Sequence, residues 1–384
     1  MSDTRKTTKP NVPNLRFPGF EGEWELHLLS DYCHKITRKN KGNVLSNVLS
    51  NSANRGIISQ SEYFDRAIAN SNNTAGYYII EQDDFVYNPR KSTAAPYGPV
   101  NVYHGGEPGI ISPLYLCFKT TGINREFLSY YFKSKAWWSY MYENGDSGVR
   151  HDRVSIKDDV FFAMPIQLPP EKEQLKIAQL LSLIDQHIAV QNKVIEKYES
   201  LIKALYKQLI PDRDDHAALG TLVRICKGKQ LNGEFLSEDG KYYVMNGGIT
   251  PSGYYDDYNT PAGTISISEG GNSCGFVQYN EKPFWSGGHC YTLLQTTDER
   301  VQYKFLYHLL KSKQDDIMAL RIGSGLPNIQ KKDIGRFPIP MLPLEHQKAI
   351  TRLLDSVYKH IEYEQALLAE LVHLKSYFLG ALFI

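Results

Sequence analysis

Two stretches of this chain decide its fold. Residues 165–209 read PIQLPPEKEQLKIAQLLSLIDQHIAVQNKVIEKYESLIKALYKQL, and residues 338–382 read PIPMLPLEHQKAITRLLDSVYKHIEYEQALLAELVHLKSYFLGAL. They align without a gap at a constant offset of 173, and 11 of the 45 pairs are identical. Unrelated helices of similar composition match at roughly one position in fifteen, so the chain carries an internal duplication. A second match lies upstream, where Phe127-Leu128 and Lys133-Ser134-Lys135 correspond to Phe305-Leu306 and Lys311-Ser312-Lys313. Each copy is therefore a variable globular part followed by a long helix, and a chain built this way can imitate a symmetric dimer.

Both helices open on proline with acid beside it, at Pro169-Pro170-Glu171 and at Pro343-Leu344-Glu345, a standard first turn. In the first, Ile177, Leu181, Ile184, Ile188, Gln191, Ile195, Tyr198, Ile202, Leu205 and Leu209 keep 4-3 spacing, a coiled-coil seam over more than four heptads. The offset maps this seam onto Ile350, Leu354, Val357, Ile361, Glu364, Leu368, Leu371, Lys375, Phe378 and Leu382. Gln191 and Glu364 are equivalent polar interruptions. In an antiparallel pair related by a pseudo-twofold, equivalent positions meet only at the centre, so these two are expected to lie together and to set register. A helix of about 39 residues is about 59 Å long, on the order of one to two turns of B-DNA.

Composition bounds the function. The 384 residues carry a net charge of +1, with +3 in the first 20 residues and no other segment beyond one charge of neutrality. No broad basic field exists to hold nucleic acid non-specifically, so any such contact uses local patches, with partners supplying part of the phosphate grip. The 26 tyrosines against 16 phenylalanines suit contact surfaces, because the ring packs while the hydroxyl hydrogen-bonds. Five scattered cysteines (Cys33, Cys117, Cys226, Cys274, Cys290), with no C-x-x-C pair, argue against a disulfide framework or a zinc ribbon and fit a reducing cytoplasm. No run of about 18 apolar residues is present. Met1–Pro13 is polar and basic, lacks an apolar signal core, and is expected to be a disordered tail.

The variable regions, 21–165 and 211–341, read as mixed α/β, with strands expected at Tyr77–Ile80, Phe85–Tyr87, Leu114–Phe118, Tyr242–Met245, Thr264–Ser268, Gly275–Tyr279 and Tyr291–Leu294. One amphipathic helix closes each, near Asn124–Tyr142 and Gln302–Leu320, followed by a glycine-containing loop. Outside these points the two regions look different.

Catalytic motifs are weak. Gly271-Asn272-Ser273-Cys274-Gly275 fits the G-x-S-x-G pattern of a serine hydrolase, but strand-like Phe276–Tyr279 follows where a nucleophile elbow needs a helix, so a hairpin turn is favoured. His289 and Cys290 are sequence neighbours, which face opposite ways in a strand. Asn88-Pro89-Arg90-Lys91 lacks the second proline and aromatic of the adenine-holding motif of amino-methyltransferases, and no glycine-rich loop offers an S-adenosylmethionine site. No metal and no cofactor is assigned to this chain.

What remains is contact chemistry. Basic clusters stand at Lys35, Arg38, Lys39 and Lys41, at Arg90, Lys91 and Ser92, at Arg150 and Arg153, at Lys227 and Lys229, and at Lys331. Each alone also reads as a solvated face, and their recurrence in corresponding places, after the first turn of each unit and after each glycine loop, sets a contact reading level with that one, since such groups touch phosphates or guanine edges. Tyr97, Tyr254 and Trp285, with His289 and Ser324 beside glycines, complete the DNA-contact candidates.

With these pieces in view the chain resembles specificity subunits of type I restriction–modification systems over nearly its whole length. The resemblance rests on Leu15-Arg16-Phe17-Pro18-Gly19-Phe20 through Trp24-Glu25, Asn88-Pro89-Arg90-Lys91-Ser92, Ile110-Ile111-Ser112-Pro113-Leu114-Tyr115, Phe284-Trp285-Ser286-Gly287-Gly288-His289, and the two segments Pro165–Gln174 and Pro338–Gln347. It implies an N-terminal tail (1–20), two mixed α+β target-recognition domains (21–168 and 211–341) in tandem, and two long antiparallel spacer helices (169–210 and 342–384). It implies that each domain reads half of a split duplex DNA target. Two modification subunits would dock on the helices and carry adenine methylation, and ATP-driven restriction subunits would join for cleavage. The competing classes are a helical scaffold without sequence preference and a hydrolase using Ser273.

Overall fold

The computed structural model describes residues 11–60, 74–146, 152–210, 215–296, 298–323, 325 and 327–384. The chain divides into two compact units, Met1–Val190 with Leu368–Ile384, and Gln191–Leu367.

In the first unit β1 (Glu25–Leu28) pairs antiparallel with β10 (Pro165–Leu168), the strand that leads into helix α4 (Glu171–Leu209). Between them lie two sheets. One joins β2 (Cys33–Lys35), β9 (Leu116–Thr120), β6 (Phe85–Tyr87) and β7 (Val100–Val102) in that order, all antiparallel. The other joins β4 (Gly56–Ser59), β3 (Val48–Ser52), β8 (Gly109–Ile111) and β5 (Tyr78–Ile80), with β3 and β8 parallel. Three helices follow β9: α1 (Arg125–Lys133), α2 (Trp138–Asn144) and α3 (Asp158–Phe162). The core is aromatic, with Phe85 stacked on Phe118 at 5.2 Å and Tyr87 on Phe161 at 4.9 Å. Ile177 and Leu181 of α4 enter the same core, as do Leu382 and Phe383. Each such side chain stabilises by about 1.5–3 kcal/mol on burial.

The second unit repeats this plan. Strand β11 (His216–Ala218) pairs with β19 (Pro338–Pro340), which leads into the last helix, Leu344–Ala381. Short helix α5 (Leu219–Leu222) leads to β12 (Val223–Lys227), which joins β18 (Cys290–Gln295), β15 (Thr264–Ser268) and β16 (Val277–Asn280) in the strand order of the first unit. The smaller sheet is β14 (Tyr254–Tyr255), β13 (Tyr242–Met245) and β17 (Trp285–Ser286), again with one parallel contact, β13 to β17. Helices α6 (Tyr303–Ser312), α7 (Gln314–Ala319) and α8 (Lys331–Gly335) complete it, and the last helix is α9. The two variable regions, different to the eye as sequences, thus share a strand order. The expected amphipathic helices are each two helices. The first breaks at Ser134, whose hydroxyl donates to Tyr131 O at 2.7 Å and accepts from Ala136 N.

Both long helices begin in the same clamp. Gln174 accepts from Asn124 N at 3.0 Å and donates to Pro169 O at 2.9 Å. Gln347, at the offset of 173, accepts from Gln302 N at 2.7 Å and donates to Leu342 O at 2.7 Å and Arg300 O at 2.9 Å. Within the second unit α4 and α9 run antiparallel, since Tyr206 meets Tyr358, Tyr198 stacks on His360, and Gln191 meets Glu364. Gln191 Nε2 donates to Glu364 O at 3.0 Å and to its carboxylate. In the first unit Lys375 of α9 reaches Asp185 of α4 at 2.5 Å.

Of the expected N-terminal tail, residues 1–10 lie outside the described residues. Residues 15–17 are held. Leu15 N donates to Ala381 O at 3.0 Å, Arg16 forms a two-pronged ion pair with Glu173 at 2.8 Å, and Phe17 packs on the core. Arg16 is 12% and Glu173 1% exposed, so this pair is shielded from salt and ties the segment to the start of α4.

Candidate nucleic-acid interface

Each unit carries a backbone knuckle at which the turn after β6, or after β15 in the second unit, meets the segment before its last short helix. In the first unit Arg90 and Arg153 form an isolated antiparallel bridge. Lys91 N donates to Asp152 O at 2.8 Å, and Val154 N donates to Pro89 O at 2.9 Å. In the second unit Gly270 and Asn328 form the bridge, Gly271 N donates to Pro327 O at 3.0 Å, and Ile329 N donates to Glu269 O at 2.9 Å. The hydrogen-bond pattern superposes Pro89, Arg90 and Lys91 on Glu269, Gly270 and Gly271, and Arg153 on Asn328.

Local chemistry explains the first knuckle. Asn88 is 9% exposed. Its Oδ1 accepts from Arg90 N at 3.0 Å, an Asx turn, and its Nδ2 donates to Asn51 O at 2.9 Å. Gly98, at φ +85°, passes so close to Asn88 O that any side chain there would clash. The locked turn presents Arg90 at the surface with Lys91 and Arg153 alongside. None of these three cations has an ion-pair partner among the described residues. Two basic clusters about 60 residues apart in sequence are thereby brought together.

The remaining candidates of the first unit fare unequally. Lys35 pairs with Asp158, and Arg38 with Glu81 at 2.9 Å, both on exposed surface where such pairs are screened. Lys39 stands 5.9 Å over the Tyr78 ring, and Lys41 is exposed. Ser92 Oγ accepts from Ala95 N, closing its own turn. Tyr97 packs on Trp138 at 5.8 Å and is half-buried. Arg150 lies outside the described residues, as does Ser324 in the second unit.

In the second unit Lys227, Lys229, Trp285, His289 and Lys331 surround the second knuckle or its neighbouring loops. Trp285 Nε1 donates to Lys229 O at 3.0 Å, and Lys229 N donates to Ser286 O, so one basic and one aromatic candidate are tied together. Trp285 meets Tyr255 edge-on at 5.2 Å, while Tyr254 is 40% exposed. Lys227 Nζ donates to Glu269 Oε1 at 2.7 Å and Tyr291 OH to the same oxygen at 2.8 Å. Burial first, and then Glu269, push the Tyr291 hydroxyl up, keeping it a donor. His289 N donates to Asn246 Oδ1 at 3.2 Å. Lys331 is exposed at the start of α8.

Sequence reasoning missed Glu269, Asn246 and Asn328, which carry no charge-cluster or aromatic signal. The glycine-rich stretch around Ser273 is a β15–β16 turn, with Cys274 N donating to Gly271 O and strand β16 following, so no nucleophile elbow forms. Cys290 is buried and His289 exposed, so they do not form a catalytic pair. No helix among the described residues is long and apolar enough to cross a membrane.

Residues 216–373 match the family model of the type I restriction modification DNA specificity domain. Over that stretch the chain is similar to the type I restriction–modification specificity family. It is 37% identical over 146 residues to a type I specificity subunit of Mycoplasma pneumoniae, a match covering 38% of this chain and 39% of that protein. The chain thus spans about two-fifths of the length of that relative. Its fold is that of a crystal structure of the S subunit of a type I restriction–modification system from M. genitalium, with a TM-score of 0.64 at 17% identity over 97% of this chain and 99% of the other. A structure concerned with complex assembly and conformational transition of the type I system gives a TM-score of 0.57 at 15% identity, over 93% of this chain and 96% of that one.

Proposed function

We propose that this chain is the DNA-reading, non-catalytic subunit of a type I restriction–modification complex, with each unit reading one half of a split target. The observation that carries this reading is the repeated knuckle. One backbone arrangement presents three unpaired cations in the first unit and a carboxylate, glycines and an asparagine in the second. Free arginine and lysine bind guanine O6 and N7 or phosphate, whereas the second knuckle offers the Asn328 amide and the paired Lys227, so the two faces suit different half-sequences.

In this reading the domains are 21–168 and 211–341, and the long helices set the gap between half-sites. The Gln191–Glu364 contact sets register. The helices also offer repeated sites for modification subunits. Val190 and Leu201 on α4 and their offset partners Tyr363 and Leu374 on α9 are all exposed, a pair of matching apolar stripes that suits two copies of one partner. Those subunits would bring S-adenosylmethionine and methylate adenine N6, and a restriction subunit using ATP would add cleavage.

The test is a genome-wide map of adenine methylation in a host carrying the modification subunit with and without this chain. A new motif of two short half-sites at a fixed gap is expected. A formed complex that adds no methylation, or methylates without sequence preference, sinks the reading in favour of a scaffold. Within the motif, Arg90→Glu or Arg153→Glu should weaken recognition of the first half-site by about 1–3 kcal/mol, and Trp285→Ala that of the second only. Equal loss at both halves in a competition assay would mean lost assembly instead.

A further inference from the structure

Glu269 stands where the first unit has Pro89, and its surroundings are unusual for a structural carboxylate. It is 8% exposed. Its backbone is fixed from both sides, since Glu269 N donates to His289 O at 2.9 Å and its carbonyl accepts from Ile329 N at 2.9 Å. Oε1 takes two donors, Lys227 Nζ at 2.7 Å and Tyr291 OH at 2.8 Å. Oε2 is buried with no hydrogen-bond partner among the described residues, and His289 Nδ1 lies 3.7 Å away.

A buried carboxylate oxygen without a donor is costly and calls for an explanation. Holding Tyr291 does not supply one, because an uncharged glutamine oxygen would accept that hydroxyl equally well, and Tyr291 also reaches Ile329 O at 3.3 Å. Of the two groups that donate to Oε1, only Lys227 needs the negative charge. That lysine is 53% exposed at the end of β12 and has spent one of its three hydrogens. Two residues after Glu269, Gly271, at φ +76°, leaves open space where a side chain would project, which suits the close approach of a duplex edge.

Resting on the function proposed above, we propose that Glu269 is a positioning residue for reading the second half-site. It fixes the Lys227 ammonium before DNA arrives and cancels its charge. The remaining hydrogens are left for an acceptor edge in the major groove, with guanine O6 and N7 the best match. A free lysine binds any phosphate and adds to non-specific affinity. A lysine held by a buried carboxylate gains little from phosphate but loses little freedom on meeting a base, because its ordering is already complete. The pair thus exchanges general affinity for discrimination. This suits a knuckle whose own residues, Glu269, Gly270, Gly271 and Asn328, include no cation, unlike those of the first.

The experiment uses the full chain assembled with its modification subunits. It measures competition binding to duplexes that vary one half-site at a time, at several salt concentrations. Glu269→Gln keeps the shape and the Tyr291 contact while removing the charge. Discrimination at the second half-site is expected to fall on the order of tenfold. Non-specific affinity should rise, and the salt dependence should steepen by about one charge. Discrimination at the first half-site stays unchanged. Lys227→Gln should lose the same discrimination without the rise in non-specific binding. If Glu269→Gln weakens all duplexes alike with an unaltered salt slope, Glu269 is only structural and the proposal is overturned. Unchanged second half-site discrimination overturns it equally. A wild-type complex without any bipartite preference fails differently: it removes the function on which the proposal rests.

Discussion

The two units use one strand order and one knuckle to opposite chemical ends. The first fills its knuckle with Arg90, Lys91 and Arg153, none of them balanced by a carboxylate among the described residues. The second places Glu269, Gly270, Gly271 and Asn328 at the same backbone positions and brings its nearest cation, Lys227, already paired. The frame tolerates this exchange because the knuckle is held by backbone hydrogen bonds, which are blind to side-chain identity. A duplicated fold can therefore diverge in what it contacts while keeping how it is held.

A second contrast lies where each sheet domain meets its long helix. At the same place on α1 and α6, counted from the matched Phe127-Leu128 and Phe305-Leu306, stand Tyr130 and His308. Tyr130 OH donates to Asp185 at 2.8 Å, and His308 Nε2 lies 2.8 Å from Asp355. His308 is 1% exposed, and its Nδ1 is buried without a partner among the described residues. A protonated ring would bury a second N–H with no acceptor, so the neutral form with the proton on Nε2 is favoured.

The largest expected effect tests whether the two helix clamps are equivalent. Gln347→Leu strands one buried backbone N–H and two carbonyls and should cost about 2–4 kcal/mol. Gln174→Leu strands one N–H and one carbonyl and should cost about 1–3 kcal/mol. Chemical denaturation of both variants decides this, and a larger loss at Gln174 would break the proposed ranking.

Acid should separate the units next. Burial lowers the His308 pKa below its ordinary 6.5, against the opposing pull of Asp355, while Lys304 lowers it further. The unfolded chain then binds the proton first, so the stability this neutral histidine contributes is present above about pH 6.5 and is lost as pH falls below it. Burial, with Asp185 next, raises the Tyr130 pKa, so Tyr130 does not titrate in this range. Between about pH 7.5 and 5.5 the melting temperature should drop on the order of a few degrees. His308→Gln, which keeps a donor to Asp355, should remove that part of the drop. An identical pH profile in the variant would show that His308 is not responsible.

The smallest effect concerns the meeting of Gln191 and Glu364, a place where equivalent residues touch. Glu364→Leu alone leaves the Gln191 amide short of an acceptor and should cost about 1 kcal/mol. The double change with Gln191→Leu should recover most of it, because a matched apolar pair is tolerated in a seam. A double-mutant cycle showing no coupling would mean that the contact does not act as a pair.

Much of this molecule was legible in the sequence. Helical periodicity and proline-led starts are local signals, repeated every three or four residues. They placed the starts of α4 and α9 at 169 and 342, each two residues before the observed Glu171 and Leu344. The offset of 173 gave Gln191 and Glu364 as partners from arithmetic alone. Strands such as Phe85–Tyr87 and Thr264–Ser268 were visible as short apolar runs. The break within each amphipathic helix was not, because Ser134 ends α1 through its own hydroxyl rather than through glycine or proline.

What the sequence determined by itself was therefore the repeat, the two rods and the class of surface chemistry, since each is written in neighbouring residues or in a constant offset. Only the tertiary structure decided that the two variable regions share a strand order, because strand order depends on backbone pairing and leaves little mark on side chains. Only it could bring Arg90 to Arg153, or Lys227 to Glu269. Those contacts join residues 63 and 42 apart through hydrogen bonds between segments that show no common pattern along the chain.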